Sequence, residues 1–175
     1  MSTGFTLVEA LIVLAIVAIL ISVVVGFSQN SIVEVRELYL LDSASYGVLY
    51  VINNARGKSV QENRIVKVSV SGRNEKDGTG GEFKAEALEI IDGRAVYKTR
   101  SLWEIPREIS VSFYDETEDY FFVYGLWVSR SASDQPFTLL TAEASTTIEI
   151  SGRHLGDAKR YIRIRDGFAE EVTNP

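Results

Sequence analysis

The chain has 175 residues, 46% of them apolar and 24% charged, with a formal net charge of −6. That length allows one terminal hydrophobic segment and one domain of ordinary size with its own core, and the acidic balance argues against general affinity for nucleic acid. The absence of cysteine excludes a disulfide framework, a thiolate nucleophile and any Cys-based metal site, and a single histidine, His154, removes most zinc sites and most His-based acid–base machinery.

The first element is the run MSTGFTLVEALIVLAIVAILISVVVGF, in which only Thr6, Glu9 and Ser22 are polar between Phe5 and Phe27. As a helix this run spans about 35 Å, enough to cross a ~30 Å hydrocarbon core. An ionisable Glu9 there costs about 2.5–3.5 kcal/mol on insertion scales, so it calls for a partner or a role. A secretory signal peptide accounts for the run poorly, because the apolar core is too long, no basic n-region precedes it and an acid lies inside it. An uncleaved signal anchor explains the length and leaves Glu9 without a purpose.

The stretch GFTLVEALIVLAIVAILI resembles the start of type IV pilins and type II secretion pseudopilins. In that family a prepilin peptidase cuts after the glycine and the new N-terminal residue is N-methylated. The resemblance therefore implies cleavage between Gly4 and Phe5, methylation of Phe5, and Glu9 as the fifth mature residue, paired with a neighbouring subunit's amine. The chemistry suits the spacing, since Phe5 and Glu9 stand at i and i+4 on one helix face and an acid in the first turns favours the positive helix end. A charge costly alone in lipid becomes a docking and register signal when paired. One departure is that the leader MSTG lacks the lysine or arginine usual in the family, which fits either a truncated start or a minimal leader.

After Gly26, a candidate bend, Leu41, Ala44, Val48, Val51 and Ala55 recur at spacings of three and four, which predicts that the helix continues in amphipathic form. Arg36, Glu37, Asp42, Ser45, Asn54 and Arg56 are assigned to its wetter side. The helix is expected to end near Glu62, with Asn63 as a left-handed stop. The segment ARGKSVQENRIVKVSV, 55–70, resembles the helix-to-first-strand junction of the GspH/FimT group of minor pilins and pseudopilins.

The remainder predicts β structure. Residues 64–71 alternate, and 71–81 form a glycine-rich polar loop. Strands at 83–91 and 95–99 flank the hairpin dipeptide Asp92-Gly93. Ile109, Val111 and Phe113 mark a half-buried strand, and YFFVYGLWV, 120–128, a central strand apolar on both faces. TTIEI (146–150), YIRIR (161–165) and FAEEV after Asp166-Gly167 complete about seven antiparallel strands. The fold class is α+β: a long N-terminal helix, half transmembrane and half amphipathic, packed on an antiparallel sheet as in the pilin fold. The expected divisions are a leader at 1–4, a transmembrane or filament-core helix at 5–27, the amphipathic helix at 28–62 and the sheet domain at 63–175.

Several stretches invite a chemical role. DETED, 115–119, clusters carboxylates but lacks the ligand alternation of a calcium loop, so a solvated turn is the expectation. NEKDGTGGE, 74–82, lacks the Gly-Lys-Ser/Thr of a phosphate loop. The segment 152–167 is locally basic, with Arg153, Lys159, Arg160, Arg163 and Arg165. On a strand Tyr161, Arg163 and Arg165 share one face while Ile162 and Ile164 point inward. Such a face can contact phosphates and stack bases, and some pilins of the FimT kind are linked to DNA uptake through basic residues near the C-terminus. This chain departs from that group by carrying Gly167-Phe168 where the family has Gly-Arg. The opposing reading, an exposed face balanced by Glu149, Glu170 and Glu171, is favoured, so nucleic acid ranks low among partners. His154 has no nucleophile motif near it, which leaves an enzyme without support.

Taken together, the resemblance implies a structural minor pilin or pseudopilin of a type II secretion pseudopilus or a type IV pilus, with no cofactor and no metal. Its partners would be the prepilin peptidase, other pilin subunits, the inner-membrane assembly platform and, through the N-terminal helix, lipid. It would sit in the bacterial cytoplasmic membrane with its N-terminus inside and the sheet domain outside. The alternative is a signal-anchored extracytoplasmic binding domain or enzyme that does not polymerise, and DNA binding is a lower-ranked option within the pilin reading.

Overall fold

The computed structural model describes residues 7–74, 76, 78–114, 118–131, 141–142 and 145–173. Among the described residues one helix, α1 (Leu7–Gln61), precedes nine strands: β1 (Val66–Ser71), β2 (Thr79–Ile91), β3 (Arg94–Phe113), β4 (Glu118–Val123), β5 (Leu126–Ser131), β6 (Thr141–Ala142), β7 (Thr146–Gly152), β8 (Lys159–Arg165) and β9 (Phe168–Val172). The chain divides into two compact units, residues 1–36 and 37–175.

In the first unit, Leu7–Gly26 is twenty residues of mean hydropathy 3.1, long and apolar enough to cross a membrane. Its large side chains are exposed all round, from Val17 at 45% to Leu7 at 78%. A helix apolar on every face is built for surroundings other than water. Ser22 is satisfied inside the helix, its hydroxyl donating to the Ala18 carbonyl at 2.9 Å.

In the second unit, the stripe Leu41, Ala44, Val48, Val51, Ile52 and Ala55 is fully buried against the sheet. Strands supply alternate residues to the same core: Val66 and Val68, Phe83, Ala85 and Ala87, Ile109 and Val111, Ile148 and Ile150, Ile162 and Ile164. A ladder of rings runs through it from Phe83 to Phe113, Tyr120 and Trp127, with Tyr120 and Trp127 stacked at 5.4 Å and 7°. Asn63 ends the helix in the left-handed conformation (φ 54°), as its sequence position predicts.

The sheet is antiparallel, in the order β6-β5-β4-β1-β2-β3-β7-β8-β9. Three details correct the sequence reading. YFFVYGLWV is not one central strand but the hairpin β4–β5, turning at Tyr124 (φ 51°) and Gly125 (φ 82°). The runs at 95–99 and 109–113 belong to one long strand, β3, which accommodates Pro106 without breaking. The strand β2 starts at Thr79, inside the expected loop, with Gly80 and Gly81 at positive φ beside a register shift.

The helix face also differs from expectation. Glu37 and Ser45, assigned to the wet side, are 2% and 1% exposed, whereas Tyr39, Tyr46 and Tyr50 face outward. Glu37 lies four residues before Leu41 and so shares its face, which places it under the β7–β8 loop.

Gly47 explains itself by contact. Its α-carbon is covered by the indole of Trp103, and a Cβ there would lie no more than 2.5 Å from three ring atoms. At the far end of the helix, the β4–β5 and β8–β9 turns meet at Gly125 and Gly167, where a Cβ on Gly167 would fall on the Gly125 carbonyl. The Gly125 amide donates to Ser59 Oγ at 2.9 Å, and Arg56 sits 3.9 Å over the Phe168 ring. Two strand pairs far apart in the sheet are thereby tied to the last turns of one helix.

Candidate functional site

Three places carry chemistry beyond packing. The first is the N-terminal segment. Gly4 and Phe5 lie outside the described residues. Glu9 lies in the first turn of α1, where its charge favours the positive end of the helix dipole, and its side chain is exposed. A carboxylate on the surface of an otherwise apolar helix is poorly placed for lipid alone.

The second place is the basic segment, which the fold disperses. Lys159 pairs with Glu149 at 2.7 Å, and the hydrogen bond to Glu149, followed by the charge of that carboxylate, raises the Lys159 pKa above its ordinary 10.5. Arg160 points to the helix side, where Nε and Nη2 donate to Asp42 Oδ1 at 3.1 and 2.9 Å, and Glu171 approaches at 3.3 Å. Arg165 stands 3.6 Å from Asp166. Arg163 is the cross-strand partner of Glu170, and Arg153 is exposed in the β7–β8 loop, its amide donating to the Glu108 carbonyl. Tyr161, Arg163 and Arg165 do share the face opposite the buried Ile162 and Ile164. Carboxylates at Lys159 and Arg165, and another opposite Arg163, leave that face with little net positive potential, and Arg160 lies on the other side of the strand.

The third place was not legible as a site in the sequence. The buried Glu37 carboxylate accepts the His154 amide at 2.9 Å and also binds His154 Nδ1. Gly152, whose position leaves only 3.2 Å between an added Cβ and Glu37 Oε2, lets the loop approach this closely. The usable signal is spacing, because an acid in register with an apolar stripe must be satisfied by something that packs on it. The arrangement pins the loop to the helix.

The acid run 115–119 is described only at Glu118 and Asp119, and Asp119 pairs with Lys67 at 2.7 Å. Among the described residues no group of three or more His, Asp or Glu could hold a metal ion.

Residues 1–25 match the family model of the prokaryotic N-terminal methylation motif, a span that includes Gly4, Phe5 and Glu9. Among curated proteins and among solved structures no match to the chain is found. The motif, joined to an exposed apolar helix, supports a type IV pilin-like protein, anchored in a membrane by that helix and processed by a prepilin peptidase.

Proposed function

We propose that this chain is a minor pilin or pseudopilin, a non-enzymatic subunit that assembles through its N-terminal helix. Prepilin peptidase cuts between Gly4 and Phe5, Phe5 is N-methylated, and Glu9 pairs with the terminal amine of a neighbouring subunit. In this reading residues 1–4 are leader, 5–27 pass from the cytoplasmic membrane into the core of a filament, and 28–62 join that core to the sheet domain, which sits outside the membrane at 63–175. The single observation that carries the reading is the coincidence of the methylation motif with a twenty-residue apolar helix that bears one acid in its first turn. Either a type II secretion pseudopilus or a type IV pilus uses a subunit of this design.

The test is intact-mass analysis of the protein from a host with an active prepilin peptidase. The expected species lacks Met-Ser-Thr-Gly and carries one added methyl group. A chain that still begins at Met1 would sink the proposal and favour a non-polymerising, signal-anchored domain. A second arm follows Glu9→Ala, expected to enter the membrane and be cleaved normally while failing to appear in sheared filaments.

A further inference from the structure

We propose a second assembly contact, made by the sheet domain alone: the tip of the β2–β3 arm of one copy laps over the base of the same hairpin in another copy. It goes beyond the role assigned to the N-terminal helix and does not rest on it.

The arm is the longest hairpin in the sheet, and its tip outruns its neighbours. The last residue of β2 paired with β1 is Ala87, opposite Val66, and β7 pairs with β3 only from Ile109 onward. Residues 90–99 are consequently exposed on both faces. The tip is nevertheless well formed. Asp92 (φ 51°) and Gly93 (φ 75°) make a tight left-handed turn, and pairing continues to Ile91 opposite Arg94. Its base on the inner face is fastened to the end of the helix by a chain of charges, in which Glu89 binds both Arg64 and Arg100 and Arg100 also reaches Glu62 at 3.2 Å.

What a rigid arm displays there is apolar and basic. Ile90 is 80% exposed, Ile91 47%, Val96 41% and Tyr97 44%. Register puts Ile91, Arg94, Val96 and Lys98 on the face that continues the inner side of the sheet, past the end of the helix. Neither Arg94 nor Lys98 has an ion pair among the described residues. Two cations against the one acid of the turn, Asp92, leave the tip net positive around an apolar centre, in a protein of net charge −6.

The other end of the same hairpin carries the complement. Glu82 and Glu104 are directly opposite each other across β2 and β3, on the outer face, both exposed and with no cation paired to them among the described residues. Like charges placed so cost stability within one copy, so packing of the monomer does not explain them. They border an open groove of about 690 Å³ with Gly81, Ile105, Pro106 and Arg107. Arg94 and Lys98 of one copy meet Glu82 and Glu104 of the next, while Ile91 and Val96 lie over Pro106, which shares the outer face with Glu104. An inner face resting on an outer face is a lap joint, reached by sliding along the strands and stepping about 10 Å, the ordinary distance between packed sheets. Each copy keeps a free tip and a free base, so the contact is heterologous and propagates as an open chain.

The chain contains no cysteine, so introduced pairs report without background. Full-length protein carrying Ile91→Cys is mixed in detergent with protein carrying Pro106→Cys and oxidised. The expected product is the mixed dimer, and a chain with both substitutions gives a ladder of higher multiples. Reversing the tip with Arg94→Glu and Lys98→Glu lowers the yield about tenfold or more, and adding Glu82→Lys and Glu104→Lys to the other chain restores it. Three results overturn the proposal: no mixed dimer, Ile91→Cys pairing only with itself, or a yield indifferent to charge reversal.

Discussion

Gly47→Ala separates what helix propensity predicts from what the fold demands. Replacing a glycine in a helix interior by alanine normally stabilises by about 1 kcal/mol. Here the new methyl would lie no more than 2.5 Å from Cε2, Cδ2 and Nε1 of Trp103, against about 3.5–4.0 Å for an unstrained carbon contact. The indole must retreat by more than about 1 Å, and Phe83, its cross-strand partner, is fully buried on the same face. Overpacking of this degree costs about 3 kcal/mol, so the net expectation is a loss of about 2 kcal/mol. For a chain of this size that lowers the melting temperature by about 4–8 °C, read from tryptophan fluorescence or near-UV circular dichroism in a mild detergent. Trp103→Ala alone should cost about 2–3 kcal/mol, since the ring is only half-buried. In that background Gly47→Ala should stabilise by about 1 kcal/mol, a coupling near 3 kcal/mol. A higher melting temperature for Gly47→Ala in the otherwise unchanged chain would refute the contact.

Other perturbations address separate features. Gly167→Ala combines a φ of 79° with collision against the Gly125 carbonyl and should cost about 2–4 kcal/mol, whereas Gly93→Ala, at φ 75° in open space, should cost only about 1–2; denaturant titration of the two variants checks the difference. Glu37→Ala leaves the His154 amide without its acceptor and should destabilise by about 1–3 kcal/mol, with amide exchange at His154 accelerating before that of the strands. Lys159 has a folded-state pKa raised by Glu149, so its contribution is complete below pH 10.5 and fades as pH climbs through the raised value. Lys159→Gln should flatten that alkaline decline in a melting series, by a small amount because the side chain is 36% exposed.

The elements were legible wherever local periodicity and tertiary demand agree. The stripe from Leu41 to Ala55 and the alternation in β1, β7 and β8 mark the core face correctly because those residues have one burial choice each. The turns show where such agreement fails. Asp92-Gly93, Tyr124-Gly125 and Asp166-Gly167 share one backbone, each first residue near φ 51° and each glycine between 75° and 82°. Two of them carry the Asp-Gly dipeptide and announce themselves, whereas Tyr124 adopts the same strained geometry inside an apolar run and is masked by it. What holds Tyr124-Gly125 is remote: Ser59 accepts the Gly125 amide, and Val60 leaves no room for a Cβ, which would lie 2.8 Å from its Cγ2. A constraint supplied by the last helical turn, more than sixty positions earlier, leaves no trace in the local pattern.

The same distinction governs the candidate sites. The N-terminal motif was legible because it is linear: a helix start, an acid at a set offset and an apolar run are adjacent in the chain, and the motif match covers that same span. Surface electrostatics is not linear. Arg160 counts as basic in its own segment, yet its nearest carboxylate, Asp42, is 118 positions away on the helix, and Glu171 comes from the following strand. Glu82 and Glu104 look unremarkable among their neighbours and become a like-charge pair only when β2 and β3 are brought into register. Local charge runs therefore overstate the cationic character of β8 and conceal the acidic groove at the base of the arm. Net potential is set by which strands pair, and in this chain the pairing neutralises the arginines of β8 while leaving Arg94, Lys98, Glu82 and Glu104 without counter-ions among the described residues. Those four charges mark where a second copy has something to gain.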